Sequence, residues 1–247
     1  MPDEESPPLI NLEDVRKFYN LLPRVYEPSD SWHNITRDWV RRFISVQHHR
    51  IERLEQCRIL NAGSGGEGCT FPEHLVYNLD IAEARLHKNN RSFIGDVHSP
   101  PFEDAFFDVS VCVGSVLNYC DAATAISALS RVTKESGYLF IEFETSCSLD
   151  LSFTSDFMKP AVLVDTFYNG HSVRLWAYSE RYIRSILLAN GFAILEESRC
   201  HFASPLAYKV TKNSNISAHF SKFDPFISRI PLLRQFCSNV IFFCRKT

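Results

Sequence analysis

The stretch Asn61–Gly68, Asn-Ala-Gly-Ser-Gly-Gly-Glu-Gly, puts four of the chain's nine glycines into eight residues. Glycine at that density is costly in chain entropy unless the backbone must bend sharply or approach something closely. It ends a short apolar run, Cys-Arg-Ile-Leu-Asn-Ala-Gly, and nineteen residues on, Asp80 lies near the end of a second one, Leu-Val-Tyr-Asn-Leu-Asp-Ile. A strand, a glycine turn and an acid on the neighbouring strand form a layout for a nucleoside. The glycines admit the ligand to the backbone, and the carboxylate accepts from both ribose hydroxyls. A nicotinamide cofactor fits that layout too. Two details weigh against a pyrophosphate at this turn and against a P-loop. Pro72 leaves little room for a helix whose N-terminus would receive phosphate, and no Lys-Ser/Thr pair follows the glycines.

These residues need strands to present them, and the pattern supplies them. Arg-Ser-Phe-Ile-Gly-Asp is a third strand, ending at Asp96. Val-Ser-Val-Cys-Val-Gly-Ser-Val is nearly continuous in apolar and small residues, as in a central parallel strand. Asp121 can cap a helix, Ala-Ala-Thr-Ala-Ile-Ser-Ala-Leu-Ser-Arg-Val, and Gly137 turns the chain into a fifth strand, Tyr-Leu-Phe-Ile-Glu-Phe-Glu. Residues 161–179 read as a strand pair around Asn169-Gly170. Ser179 caps a helix that ends at Gly191, and Phe-Ala-Ile-Leu-Glu-Glu-Ser-Arg-Cys and Asn-Val-Ile-Phe-Phe-Cys-Arg are the last strands. Before the glycines lie a loose arm (residues 1–10), a helix over about Leu12–Leu22 and a second over about Thr36–Gln56 with Trp39, Phe43, Val46 and Leu54 near one face. The expected fold is α/β: an open, mostly parallel seven-stranded sheet with helices on both faces. Residues 1–56 would form an N-terminal arm and helical cap. Residues 57–247 would form the α/β domain, with substrate-side insertions near 145–178 and 201–236.

Composition bounds the function. The chain of 247 residues is 45% hydrophobic and 22% charged, with a formal net charge of -3. That is the balance of a globular protein with no overall electrostatic bias toward nucleic acid. The charge is uneven: residues 201–247 carry seven Lys or Arg against one acid, and residues 91–160 carry ten acids against four bases. The eight cysteines lie mostly in or beside apolar runs, with no Cys-x-x-Cys pair and no zinc-site spacing, which suggests reduced thiols and a cytoplasmic protein with no metal. No run approaches the roughly 20 apolar residues of a membrane span, and the acidic N-terminus lacks a signal core. The apolar face of the second helix could pack internally or against a second copy.

Taken together these motifs resemble the class I S-adenosylmethionine-dependent methyltransferases with a reduced first helix, well over about Arg58–Gly137 and in outline to Arg245. Ile-Leu-Asn-Ala-Gly-Ser-Gly-Gly-Glu-Gly is similar to the family's first motif, with Gly63 and Gly65 at its first two glycines, Asn61 where an acid is usual and Glu67 at the third glycine. Asn-Leu-Asp-Ile is similar to the second motif. The most specific match is Phe-Ile-Gly-Asp-Val-His-Ser-Pro-Pro-Phe-Glu-Asp-Ala-Phe-Phe-Asp. The resemblance implies S-adenosyl-L-methionine as cofactor, held by Asn61, Gly63, Gly65, Asp80 and Ile81 around the methionine and ribose, Asp96 and Val97 around adenine, and Gly114 and Ser115 below the methyl donor. Where many relatives carry Glu-His, this chain has Asn118-Tyr119.

Methyl transfer from a sulfonium is an in-line displacement in which positioning can supply much of the catalysis, and a base is needed only if the acceptor must lose a proton. Tyr119, Glu142 and His171 are the catalytic candidates. Glu144, two residues beyond Glu142, should share its face. Tyr168, Trp176 and Tyr178 could line an apolar acceptor pocket or belong to the core. The expected activity is methylation of an oxygen or nitrogen of a small organic molecule. The alternatives are a noncatalytic cofactor- or partner-binding protein of the same fold and, further off, a nicotinamide-dependent oxidoreductase.

Overall fold

The computed structural model describes residues 10–67, 69–87, 91–168, 171–227 and 230–247. The expectations placed on residues 1–9, on Gly68 and on the Asn169-Gly170 turn lie outside them.

Among the described residues nine strands form, β1 (Ile59–Ala62), β2 (Val76–Asp80), β3 (Ser92–Ile94), β4 (Phe107–Cys112), β5 (Thr133–Glu144), β6 (Ala161–Tyr168), β7 (His171–Tyr178), β8 (Phe192–Cys200) and β9 (Asn239–Lys246). Seven make one sheet in the order β3-β2-β1-β4-β5-β9-β8. All neighbours are parallel through β5; β9 pairs antiparallel with both β5 and β8, so it alone runs against the rest. This is the open, mostly parallel seven-stranded sheet that the sequence predicts. The reversed strand separates it from the all-parallel 3-2-1-4-5-6 order of dinucleotide dehydrogenases and removes the topological support for the oxidoreductase alternative. β6 and β7 form a separate hairpin, in register from Ala161↔Tyr178 to Tyr168↔His171.

Strand parity divides the core. Leu139, Ile141 and Phe143 of β5 pack with Val240, Phe242 and Cys244 of β9 in one cluster. Tyr138 and Phe140 pack with Ile241 and Phe243 in another, because successive side chains in a strand point to opposite faces. The first cluster is covered by helices α3 (Ala122–Val132) and α4 (Glu180–Ala189), which contribute Ile126, Leu129, Ile183 and Leu187. The second is covered by α2 (Ser31–Gln47) through Val40 and Ile44; α1 (Leu12–Leu21) precedes it. The expected caps are present: Asp121 accepts from Thr124 N–H and Ser179 from Tyr182 N–H, each satisfying an otherwise orphaned helix donor.

Three details differ from the sequence expectation. The second helix starts earlier, at Ser31, because Asp30 caps it through His33 N–H. It also stops at Gln47 rather than Gln56, since Arg53 takes a left-handed conformation (φ 49°) between two short 3₁₀ turns. Helices do not fill every crossover: β1–β2 and β2–β3 are bridged by 3₁₀ turns, Glu73–Leu75 and Glu83–Arg85. The first helix is reduced, as the resemblance implied.

Candidate functional site

Strand order reverses at β1, whose neighbours are β2 and β4, so the loops leaving β1 and β4 turn to opposite sides and leave a crevice between them. The glycine turn occupies this point. Gly63 (φ 70°) and Ser64 both donate their amides to Leu79 O, and Gly65 donates to Asp80 Oδ2 at 2.7 Å. A Cβ on Gly63 would sit 2.4 Å from Val116 Cγ2, and one on Gly66 2.3 Å from Arg85 O, so glycine is required at both by space and by φ. Asn61, buried where an acid was the expectation, braces the same turn by donating to Glu67 O and Asn78 Oδ1.

The crevice brings together Asn61, Gly63, Gly65, Asp80 and Ile81 with Asp96, Val97 and Gly114. Asp80 Oδ1 accepts from Ala82 N–H, and burial pushes its carboxyl above the ordinary range. Each Asp80 oxygen thus takes one backbone donor and keeps a lone pair for a ligand hydroxyl. Asp96 Oδ1 accepts from His98 N–H and His98 Nδ1, while His98 Nε2 accepts from Asp121 N–H, which fixes that ring's tautomer. Burial raises the Asp96 pKa, but the His98 hydrogen bonds outweigh it and leave a carboxylate lining the crevice, with both His98 bonds on Oδ1. Arg37 and Arg41 of α2 line the glycine end, where the sequence reading placed no cation.

A wider cleft of about 1090 Å³ adjoins the crevice, with Gly114 and Tyr119 lining both. Ser115, with φ 59°, lines the cleft rather than the crevice and ties two acids together. Its N–H donates to Glu142 Oε2 at 2.8 Å, and its Oγ donates to Glu144 Oε1 at 2.9 Å. The pair shares a face, as their spacing predicts, but they differ in role. Glu142 is 0% exposed, and its oxygens accept from Gly114 N–H, Ser115 N–H and Asn239 Nδ2. It holds the turn after β4 and is not among the residues that line either cavity, which weighs against the expectation of a catalytic Glu142. Glu144 lines the cleft, and burial together with the neighbouring Glu142 charge pushes its carboxyl up to about 7.

Tyr119 stands at the junction, its ring edge-on to Tyr19 at 5.8 Å and the two hydroxyls 3.3 Å apart. Burial pushes its hydroxyl up to about 12, so it stays protonated and can position but not take a proton. His171 is exposed at the cleft rim against Phe18. Tyr168 lines the cleft and donates to Val25 O, whereas Tyr178 is buried and donates to Cys120 O. Trp176 packs against the core, so of the three aromatic candidates only Tyr168 reaches the acceptor side. Asn118 is fully buried and latches β5 to β7, donating to Glu144 O and Trp176 O and accepting from Glu144 N–H.

Sequence reasoning missed a dyad. His33 Nδ1 lies 2.6 Å from Asp30 Oδ2, and its ring packs on Tyr168 within the cleft. Burial raises the Asp30 pKa, but hydrogen bonds from His33 outweigh it and keep it ionised below the ordinary value. The signal was Asp30-Ser31 as a helix cap, which places His33 in the first turn. The fold also gathers one Cys/His/Asp group that spacing did not reveal: ligand atoms of Cys200, His201 and Asp224 lie within 4.8 Å of one another. Asp224 there accepts from His201 and Phe202 N–H and so closes the turn that ends β8. All eight cysteines are free thiols, and among the described residues no helix is long and apolar enough to cross a membrane.

A protein-family model described as Methyltransferase domain matches residues 60–141, from β1 through most of β5. No curated protein sequence matches the chain. Solved structures do. The geranyl diphosphate C-methyltransferase of Streptomyces coelicolor A3(2), solved with S-adenosyl-L-homocysteine, is 14% identical with a TM-score of 0.58, over 98% of this chain and 100% of that one. The 1,6-didemethyltoxoflavin-N1-methyltransferase of Burkholderia thailandensis, also solved with S-adenosylhomocysteine, is 15% identical at 0.54, over 98% and 93%. The [4+2]-cyclase SpnF is 16% identical at 0.54, over 97% of each.

Proposed function

From the class I S-adenosylmethionine-dependent methyltransferase fold of this chain we infer that it transfers a methyl group from S-adenosyl-L-methionine to an oxygen or nitrogen of a small organic molecule. The observation that carries the reading is the convergence, at one switch point, of the glycine turn, Asp80 and Asp96 within the segment that matches the methyltransferase domain.

The residues fit the cofactor. Asp80 has lone pairs for both ribose hydroxyls, and Ile81 supplies an apolar edge beside them. Asp96 Oδ2 can accept from the adenine amino group, with Val97 beside the ring. Gly63 and Gly65 admit the methionine portion to the backbone, and Arg37 and Arg41 supply positive charge for its carboxylate. The cofactor brings an activated methyl group. The chain's task is then to aim that carbon at the cleft through Gly114 and to exclude water. The helices α1 and α2 act as the cap, since both wall the two cavities.

On the acceptor side Glu144 replaces Glu142 as the base, since it faces the cleft and titrates near neutral pH, where a general base is most effective. Tyr119 orients the acceptor, and His171 stands at its entrance. A small-molecule acceptor suits a cleft walled by the N-terminal helices, the β6–β7 hairpin and α5 (Ser204–Thr211) with α6 (Ser214–Ala218). Calorimetric titration with S-adenosylmethionine, S-adenosylhomocysteine and NADH tests the reading. Micromolar binding of the two sulfur compounds and none of NADH is expected. No binding of either would sink it.

A further inference from the structure

The acceptor cleft has a one-sided charge. Glu27, Asp30, Glu144, Asp150 and Asp165 line it, and among the described lining residues there is no Lys or Arg. Two of these acids are already matched: Asp30 by His33, and Asp165 by Arg174 on the neighbouring strand at 2.7 Å. Glu144 and Asp150 are not. Among the described residues the Glu144 carboxylate accepts one hydrogen bond, from Ser115 Oγ to Oε1. Asp150 Oδ1 is shut off from solvent and has no hydrogen-bond partner among the described residues. Both acids act on the same space: besides burial and the Glu142 charge, Asp150 raises the Glu144 carboxyl, while Ser115 and the His33 charge oppose the rise.

Neighbouring carboxyl groups opposed only by the His33 imidazole are unfavourable where the cleft excludes water, because the Coulomb cost grows as water is excluded. A buried acceptor oxygen without a donor adds its own desolvation cost. Both costs vanish if the ligand brings N–H donors and a positive charge. The rest of the wall suits such a ligand. Phe18, Tyr19, Trp32, Tyr119 and Tyr168 surround the cleft, and aromatic faces attract organic cations through their quadrupoles. An anionic acceptor would meet the opposite field and, among the described lining residues, no Lys or Arg.

We propose that the methyl acceptor is an aromatic or arylalkyl amine, bound as its ammonium ion between the aromatic wall and the carboxylates of Glu144 and Asp150, and that the product is its N-methyl derivative. The proposal rests on the methyltransferase reading. An ammonium nitrogen has no lone pair and cannot attack. Glu144 takes one proton from it, giving a neutral amine and a protonated carboxyl. The nitrogen lone pair then forms the new N–C bond while the C–S bond breaks, and its electron pair stays on sulfur. The products are an N-methylammonium ion, neutral S-adenosylhomocysteine and one proton, which Glu144 releases to water. Asp150 holds the ammonium and takes no proton.

The experiment is equilibrium titration of the full chain, with and without saturating S-adenosylhomocysteine, using matched ligands on one skeleton: phenethylamine, 2-phenylethanol and 3-phenylpropionate, then the tryptamine, tryptophol and indole-3-propionate set. The amine of each set is expected to bind at least tenfold more tightly than its alcohol and acid. Glu144→Gln and Asp150→Asn should each erase most of that preference while leaving S-adenosylhomocysteine affinity within about twofold, and the second variant keeps the test valid if the first does not fold. Equal or tighter binding of the acids or alcohols, no amine binding beside normal S-adenosylhomocysteine binding, or amine preference surviving in both variants overturns the proposal. Amine preference without any S-adenosylhomocysteine binding would leave the cation site standing and remove the methyl-transfer reading.

Discussion

Gly65 donates its amide hydrogen to Asp80 Oδ2 at 2.7 Å, so the acid that ends β2 holds the glycine turn that leaves β1. The two features that made the nucleoside layout visible in the sequence are therefore one hydrogen-bonded unit. Asp80 braces the turn, and in the proposed complex its remaining lone pairs would accept from the ribose hydroxyls.

Asp80→Ala removes both functions. The expected loss of S-adenosylmethionine affinity is on the order of 2–3 kcal/mol, as for a charged hydrogen-bonding partner. Asp80→Asn keeps an acceptor for one donor and should lose less. Calorimetry on the folded variants checks both; wild-type affinity in Asp80→Ala would remove Asp80 from the site.

Gly63→Ala should fail for two separable reasons. Its φ of 70° costs a residue with a Cβ roughly 1–3 kcal/mol, and the new methyl group would lie 2.4 Å from Val116 Cγ2. A lower melting temperature and weakened cofactor binding are expected. Adding Val116→Ala relieves the clash but not the backbone strain, so recovery should be partial. Complete recovery would show that space alone demands glycine.

Glu142→Ala orphans the N–H groups of Gly114 and Ser115 and the amide of Asn239 in a buried place. Each unsatisfied donor costs about 1–3 kcal/mol, so the variant should be strongly destabilised in urea titrations. Glu142→Gln retains an acceptor and should retain most activity. A stable Glu142→Ala with selectively lost turnover would restore the catalytic assignment.

The pH dependence of Glu144 has a definite sign. Its carboxyl, raised by burial and by Glu142, titrates at about 7 in the folded chain, against roughly 4.3 unfolded. The folded chain therefore tolerates the neutral form and resists the charged one. Glu144 adds no penalty below the unfolded value, and its cost to stability grows as pH rises from there through about 7. Turnover needs the charged form and should rise across the same upper limit. Glu144→Gln should melt higher than wild type at about pH 8, melt alike at about pH 4, and lose turnover with its pH slope. A wild-type slope in the variant would assign the base elsewhere, with His33 the neighbour to try next.

Much of the fold was legible because parallel strands write their burial directly. β1, β4 and the core of β5 are apolar runs that end in turn residues or acids, and the caps Asp121 and Ser179 mark their helices by residue type. The lining of the crevice was legible for the same reason: glycines and acids at strand ends lie where the chain turns, next to one another along the sequence or one strand away. The acceptor side was not. His33, Tyr19 and Asp150 reach the cleft from three elements separated by up to a hundred residues and more, and no local pattern relates them.

The sequence by itself determined the strand set, the position of the glycine turn and the acids that face it, since these follow from hydrophobic period and backbone freedom. Only the tertiary structure decided between Glu142 and Glu144. The two are equivalent in pattern, two residues apart on one face of β5, yet three donors, two from the turn after β4 and one from β9, close around the first and leave the second open to the cleft. Which of two like carboxyl groups is satisfied and which can react depends on neighbours brought from elsewhere in the chain, and that information exists only once the sheet has formed.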